Sequence, residues 1–344
     1  MSGIRRGVVV LLALGAAACA TSLPPPNYDD YVWPPPPDKA RIQLEDVVWG
    51  RIDVLAKTGG IQRALLGDAP QNPLDRFKKP IAVDFDPQGR LLVTDWGHGV
   101  LFRFDRAKRQ ADVFGVTGAV RLKGPMGLGV GPDGTVYVAD VGLAQVVALD
   151  LGSGKVKAAY GKPGDLQNPT DAAVSPDGAR VFVTDSKAHR VVVFDLKTGE
   201  RVSAFGKPGE APGEFAYPSA LAFDRDGNLL VVDQINARVQ VLTEEGEPVD
   251  AFGARGVGFG NFTRPKDVAV DGVGFIYVTD AAFNNVQIFD ADFRLLTFVG
   301  AGGEGPGRFS LASGVATHGD RFAVVDQLTP RVQVFRFVVP KDAP

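Results

Sequence analysis

Pro169-Thr-Asp-Ala-Ala-Val-Ser-Pro-Asp-Gly-Ala-Arg-Val-Phe-Val-Thr-Asp185, continued by His189-Arg-Val-Val-Val-Phe-Asp195 and Arg201-Val-Ser-Ala-Phe-Gly206, is the stretch that decides the fold. It reads as four short β runs with period-2 alternation, separated by turn residues. Similar phrases begin at Pro80, Pro125, Pro169, Pro218, Pro265 and Ala312, at spacings of 45, 44, 49, 47 and 47 residues. Four strands at this period make one blade of a β-propeller. A lone blade leaves both faces uncovered, so the copies must stack around an axis. The expectation is an all-β, six-bladed ring of four-stranded antiparallel blades over 80–339, followed by a tail at 340–344.

Turn chemistry supports this. The first and second runs are joined by Asp-Pro-Gln-Gly (86–89), Gly-Pro-Asp-Gly (131–134), Ser-Pro-Asp-Gly (175–178) and Asp-Arg-Asp-Gly (224–227). Proline presets φ at a turn's first corner, and glycine supplies the positive φ that comes later. Three copies place an Asp five residues before an Arg: Asp185 and Arg190, Asp233 and Arg238, Asp326 and Arg331. Each pair brackets a corner where a carboxylate can accept free backbone N–H groups. Recurrence marks these pairs as architecture, because an active site needs a given group once.

The corner and its strand carry a family resemblance. Ala188-His-Arg-Val-Val-Val-Phe194 resembles the signature of NHL-repeat proteins, with near variants in Asn236-Ala-Arg-Val-Gln-Val-Leu242, Asn284-Asn-Val-Gln-Ile-Phe289 and Pro330-Arg-Val-Gln-Val-Phe335. Gly99-Val-Leu-Phe-Arg-Phe104 and Ala144-Gln-Val-Val-Ala-Leu149 lack both the Asn and the Arg. The resemblance spans residues 80–337 and implies an NHL/TolB-like propeller. It says little about function, since this scaffold carries both enzymes and binding modules.

The sixth copy runs out after its third strand, Val332–Val338, whereas Arg41-Ile-Gln-Leu-Glu-Asp-Val-Val48 alternates and lacks a local partner. This N-terminal strand is expected to close the last blade, which hides an exposed sheet edge. Residues 40–79 then comprise the closing strand and a connector. Within Gly59–Lys79, Ile61-Gln-Arg-Ala-Leu-Leu-Gly has the spacing of one or two amphipathic helical turns, with Ile61, Leu65 and Leu66 on one side. An apolar plug and a lid or docking element are both compatible with it.

Residues 1–18 read as an export signal: Arg5-Arg6, the apolar run Val8–Leu14, then Ala16-Ala-Ala-Cys19. Cys19, the only cysteine, resembles the acylated residue of a bacterial lipobox, although Ala16 stands where Leu is more usual. That resemblance implies a lipid anchor at Cys19, and Ala20 in place of Asp points to the outer membrane, facing the periplasm. Pro24-Pro-Pro and Trp33-Pro-Pro-Pro-Pro37 make residues 19–39 a semi-rigid tether. A lone cysteine excludes internal disulfides. A net charge of −3 with mixed signs argues against nucleic acid, which requires a basic face. A monomeric ring is expected.

Chemistry is sparse. His98 and His189 fall in corners between second and third strands and His318 in the turn at the opposite end, so no His₃ metal site can form. Gly300-Ala-Gly-Gly-Glu-Gly305 matches a dinucleotide pattern but is followed by Pro306-Gly-Arg-Phe rather than a helix. Its sister loops 206–215 and 253–262 identify it as a blade-to-blade connection, with Phe215, Phe262 and Phe309 plugging the gaps between blades. No nucleophile elbow or zinc-protease motif is present.

What the repeat does not demand lies at the axial mouth where each first strand begins. The aligned positions read Ile81, Met126, Thr170, Ser219, Lys266 and Ser313, then Ala82, Gly127, Asp171, Ala220, Asp267 and Gly314. Asp171, Lys266 and Asp267 stand out there, as do Trp96, Gln234, Phe283 and Gln327 at the corners of the same end. Together they are candidates to line a polar pocket with aromatic walls, or Asp171 and Asp267 cap inner strands and Lys266 is solvated. The expected function is a lipid-anchored envelope module that binds a protein, peptide or glycan and needs no cofactor. One alternative is a metal-dependent lyase or lactonase-like enzyme with Asp171 and Asp267 holding calcium or zinc; another is a purely structural envelope component.

Overall fold

Each repeat folds as an up-and-down meander because its Val-, Phe- and Ile-rich runs pair best with their immediate neighbours, and tight Gly-containing turns set the register. The computed structural model describes residues 27–35, 38–55, 72–116 and 121–338. Two strands precede the repeats, β1 (Val32–Trp33) and β2 (Ile42–Val48). The first blade is β3–β6 (Pro80–Phe85, Leu91–Asp95, Val100–Asp105, Gln110–Phe114) and the second β7–β10 (Pro125–Val130, Val136–Asp140, Gln145–Asp150, Lys155–Tyr160). The third is β11–β14 (Pro169–Val174, Arg180–Asp185, Arg190–Asp195, Arg201–Phe205) and the fourth β15–β18 (Pro218–Phe223, Leu229–Asp233, Arg238–Leu242, Pro248–Phe252). The fifth is β19–β22 (Pro265–Val270, Ile276–Asp280, Asn285–Phe289, Leu295–Val299), and the sixth is built on β23–β25 (Ala312–His318, Arg321–Asp326, Arg331–Phe337). Every blade is antiparallel, with its first strand innermost.

The sixth blade is completed from the other end of the chain, since β2 pairs with β25 from Ile42 opposite Phe337 to Val48 opposite Val332. Glu45 is paired with Arg321, and Asp46 meets Arg106 of the first blade at 2.6 Å. One finding departs from the sequence expectation. β1 adds a fifth strand, with Val32 opposite Gln43, and the Trp33 ring packs edge-on against Phe335 at 5.4 Å. The Pro-rich stretch is therefore not a free spacer throughout, because Trp33 gains apolar cover by docking. The export signal, Cys19, the helical turns expected at 61–67 and the tail at 340–344 lie outside the described residues.

The core is distributed over six interfaces between neighbouring blades, each with its own apolar cluster, including the one that joins the sixth blade to the first. One residue three positions before each inner strand plugs each interface: Phe77, Leu122, Leu166, Phe215, Phe262 and Phe309, all buried. The expected plugs Phe215, Phe262 and Phe309 are thus half of a ring of six. Gly253 shows what such a plug requires: its φ is 76°, and a Cβ there would overlap the Phe262 ring.

The corners follow the structural expectation. Asp95, Asp140, Asp185, Asp233, Asp280 and Asp326 are fully buried at the ends of the second strands. Asp140 accepts N–H groups from Lys123, Gly124, Gly142 and Leu143, and Asp326 accepts those of Ser310 and Leu311. Arg190, Arg238 and Arg331 pair with Asp185, Asp233 and Asp326. Gly300–Gly305 leads into no helix; Gly302 instead bridges to Phe309, as Pro208 does to Phe215.

Candidate functional site

The inner strands β3, β7, β11, β15, β19 and β23 surround an axial cavity of about 290 Å³. It runs from the level of Asp171 and Asp267 towards the end carrying the turns between first and second strands. Its walls are mostly Ala, Val and Gly, which makes three carboxylates conspicuous: Asp84, Asp171 and Asp267. They come from blades one, three and five, so alternate blades supply them.

Each carboxylate ties its own inner strand to the next blade. Asp171 Oδ2 accepts the Leu221 N–H at 3.0 Å, and Asp267 Oδ2 accepts that of Val315 at 2.8 Å. Asp84 Oδ1 accepts the Phe85 N–H at 2.7 Å, and the Val130 amide of blade two also favours its ionised form. The free edge of an inner strand faces the axis, and these bonds satisfy donors the sheet ladder leaves open. Hydroxyl groups form a second stitch: Thr94 donates to Met126 O, Ser219 to Lys266 O, Thr279 to Ser313 O and Ser313 to Ile81 O, in each case reaching the following blade. Gly127 belongs to this fit, because a Cβ there would overlap the Asp171 carboxylate.

Electrostatics follow from the setting. Burial pushes Asp84 up to about 7, helped by the charges of Asp267 and Asp86. Burial likewise raises Asp267 to about 7, against backbone N–H groups and the Lys266 ammonium that pull it down. Asp171 rises well above the ordinary carboxylate range through burial and the Asp267 charge. Lys266 shifts downward, first through burial and then through the Arg264 charge.

Asp171 and Asp267 therefore meet in one cavity, while Lys266 sits one residue nearer the opposite mouth and does not line it. Trp96, Gln234, Phe283 and Gln327 lie at the corners of that mouth and do not line the cavity either. Gln234 donates to Pro265 O of the next blade. Asp84 lies beyond the two columns that single out Asp171 and Asp267, which are the second and third positions of the inner strands. Two positions on, the column reads Asp84, Gly129, Ala173, Ala222, Ala269 and Ala316, a signal as clear as that for Asp171.

The donor set does not fit a divalent ion held on the axis by Asp171 and Asp267. Both carboxylates are engaged with backbone N–H groups, and among the described residues no three His, Cys, Asp or Glu side chains converge as a metal set. The histidines are dispersed in architectural roles: His98 against Arg76 O, His189 against Phe215 O, and His318 tilted against the Phe85 ring at 5.7 Å.

The mouth at the other end, where the inner strands start, differs in character. Trp96, Tyr217, Ile235 and Leu328 expose 44%, 47%, 51% and 67% of their surface there. The Lys79 ammonium lies 4.5 Å from the Trp96 ring centre, and Tyr217 packs edge-on to His189. None of these positions is apolar in every copy, so the repeat does not impose them.

Comparison with known proteins reaches the same architecture. A family model described as a 6-bladed beta-propeller matches residues 173–230. A search of curated protein sequences finds no match. Among solved structures, virginiamycin B lyase from Staphylococcus aureus, as a catalytically inactive variant with quinupristin, is similar over 78% of this chain and 82% of its own, at 14% identity and a TM-score of 0.57. A gluconolactonase from Xanthomonas campestris covers 86% of this chain and 98% of its own, at 18% identity and a TM-score of 0.59. A Bacteroides thetaiotaomicron protein of unknown function covers 87% and 76%, at 14% identity and a TM-score of 0.63. At these identities the likeness speaks for the fold alone. By sequence period, strand topology and these comparisons together, the chain is a six-bladed β-propeller.

Proposed function

We propose that the protein is a non-catalytic binding module of the bacterial cell envelope, held by a lipid on Cys19 at the periplasmic side of the outer membrane. It engages its partner with the end of the ring where the inner strands begin. The carrying observation is a division of labour. Residues recurring in several blades are spent on corners, plugs and stitches, whereas Trp96, Tyr217, Ile235 and Leu328, which the repeat does not impose, gather exposed at one end. Large exposed apolar groups concentrated in one place mark interaction surfaces. A photoreactive residue at Ile235 should give discrete protein adducts in cells, while one at Val273, exposed at the opposite end, should not. Equal yields from the two positions, or none from either, would sink the reading.

A second reading draws on the axial cavity with its raised carboxylates and on structural neighbours that include a lyase and a gluconolactonase. It requires calcium or zinc to raise the melting temperature and Asp171→Asn with Asp267→Asn to abolish that rise. The engagement of both carboxylates with backbone N–H groups favours the binding module.

A further inference from the structure

The two ends of the ring differ in where their acids lie. None of the strand starts (78–81, 123–126, 167–170, 216–219, 263–266, 310–313) contains Asp or Glu, nor does any corner (96–99, 141–144, 186–189, 234–237, 281–284, 327–330). The same positions hold Lys78, Lys79, Lys123, Lys187, Arg264 and Lys266. Among the described residues none of these six pairs with a carboxylate, and all but the half-buried Lys266 are exposed. Among the described residues the acids of this end are either the fully buried corner Asp residues or lie farther out, at Asp53, Asp75, Asp165, Glu210, Glu214 and Glu304. At the opposite end every hairpin carries an acid, from Asp86 and Asp105 through Asp133, Asp177 and Glu244 to Asp290 and Asp320.

We propose that the mouth ringed by these acid-free strand starts and corners is the docking surface for an acidic peptide segment of a partner protein, with one of its carboxylates seated on Lys266 at its centre. The proposal rests on the binding-module reading and adds the chemistry of the partner. Cations gathered at one mouth with no salt-bridge partner repel one another, and an incoming carboxylate relieves that repulsion while gaining charge-assisted hydrogen bonds. Lys266 is the natural centre: among the described residues it is the one cation drawn into the mouth, and the neighbouring Ser219 and Ser313 hydroxyls already donate to backbone carbonyls. Trp96, Tyr217, Ile235 and Leu328 around the rim offer apolar contacts for the side chains between the acids. A glycan fits less well, since its hydroxyl donors seek carboxylate acceptors and the strand starts and corners of this mouth hold none. A flat anionic bilayer meets the rim lysines but not the recessed Lys266.

The test uses the full chain and two fluorescein-labelled twelve-residue peptides, each with two Leu and either six Glu or six Gln. The Glu peptide should bind at least tenfold more tightly at 50 mM salt, and its advantage should collapse at 500 mM, where charges beyond a few ångströms are screened. Lys79→Glu with Lys123→Glu and Arg264→Glu, all at exposed positions, should remove that advantage without changing the melting temperature. Lys266→Met, which keeps the packing, should weaken the Glu peptide severalfold. Equal binding of the two peptides, or a charge-reversed variant that binds as well as the parent, overturns the proposal. So does capture by phosphatidylglycerol vesicles in the absence of peptide binding, which assigns the face to lipid. Adducts at Ile235 separate the two levels: if they persist unchanged in the charge-reversed variant, the acidic class falls and the binding module stands. If the parent gives none, the binding module itself falls.

Discussion

Replacing Asp267 by Asn should change how stability depends on pH more than it changes stability itself. In the folded ring this carboxyl rises from the ordinary 3.8 to about 7 because burial disfavours its charge. Between about pH 4 and pH 7 the folded protein therefore holds a proton that the unfolded chain has lost. The stabilisation is complete below about pH 4, declines as pH rises across the window, and is gone above about 7. A shift of about three units corresponds to about 4 kcal/mol at about 1.4 kcal/mol per unit. Solvent reaching the half-buried group through the channel reduces this to about 2 kcal/mol. At roughly 2–4 °C per kcal/mol for a large domain, the melting temperature carries about 4–8 °C of pH dependence from this residue. Asn keeps an acceptor for the Val315 N–H but cannot ionise, so the variant gains on the parent as pH climbs from 4.5 to 8. Asp84 and Asp171 reinforce the trend, because removing the Asp267 charge lowers both. Thermal unfolding of parent and variant at half-unit intervals measures the difference directly. A gap that stays constant from pH 4.5 to 8 refutes the reasoning.

The remaining expectations concern the frame. Phe262→Ala empties one blade interface and should cost about 3–5 kcal/mol, read as a lowered denaturation midpoint; a loss below about 1 kcal/mol would mean that the connector collapses into the space. Deleting residues 40–48 removes the partner of β25 and should lower the melting temperature far more than deleting 20–26, with removal of 27–33 in between because Trp33 packs on Phe335. Equal melting of the three truncations would deny β2 its role in closure.

Much of this was legible because a repeat reports its own constraints. Asp185, Asp233 and Asp326 recur beside Arg190, Arg238 and Arg331, and Phe215, Phe262 and Phe309 recur in the connectors, so their structural duty shows in the spacing alone. Phe77, Leu122 and Leu166 escaped notice because a plug needs only bulk and apolarity, and Leu satisfies both. β1 was invisible for a different reason: two residues carry no period, and the prolines around Trp33 read as a spacer. In the axial site, Asp171 and Asp267 announced themselves against small neighbours, but the sequence could not place their oxygens on the Leu221 and Val315 amides. Lys266 was visible as an odd residue, whereas the acid-free ring around it emerges only once the strand ends are assigned to one side.

The pairing of β2 with β25 also dictates an order of events. Five blades complete themselves from consecutive residues, but the sixth needs residues 42–48 to meet residues 331–337. A growing chain must therefore carry β2 as an unpaired edge until its last strand is made, and such non-local contacts slow folding. An edge of this kind invites association with other chains, so delay at this step is a hazard. Once joined, the seam works the other way. Neither terminus ends in a blade that can peel off by itself, and proteolysis or force applied at one end has to disrupt the sixth blade before any other is exposed.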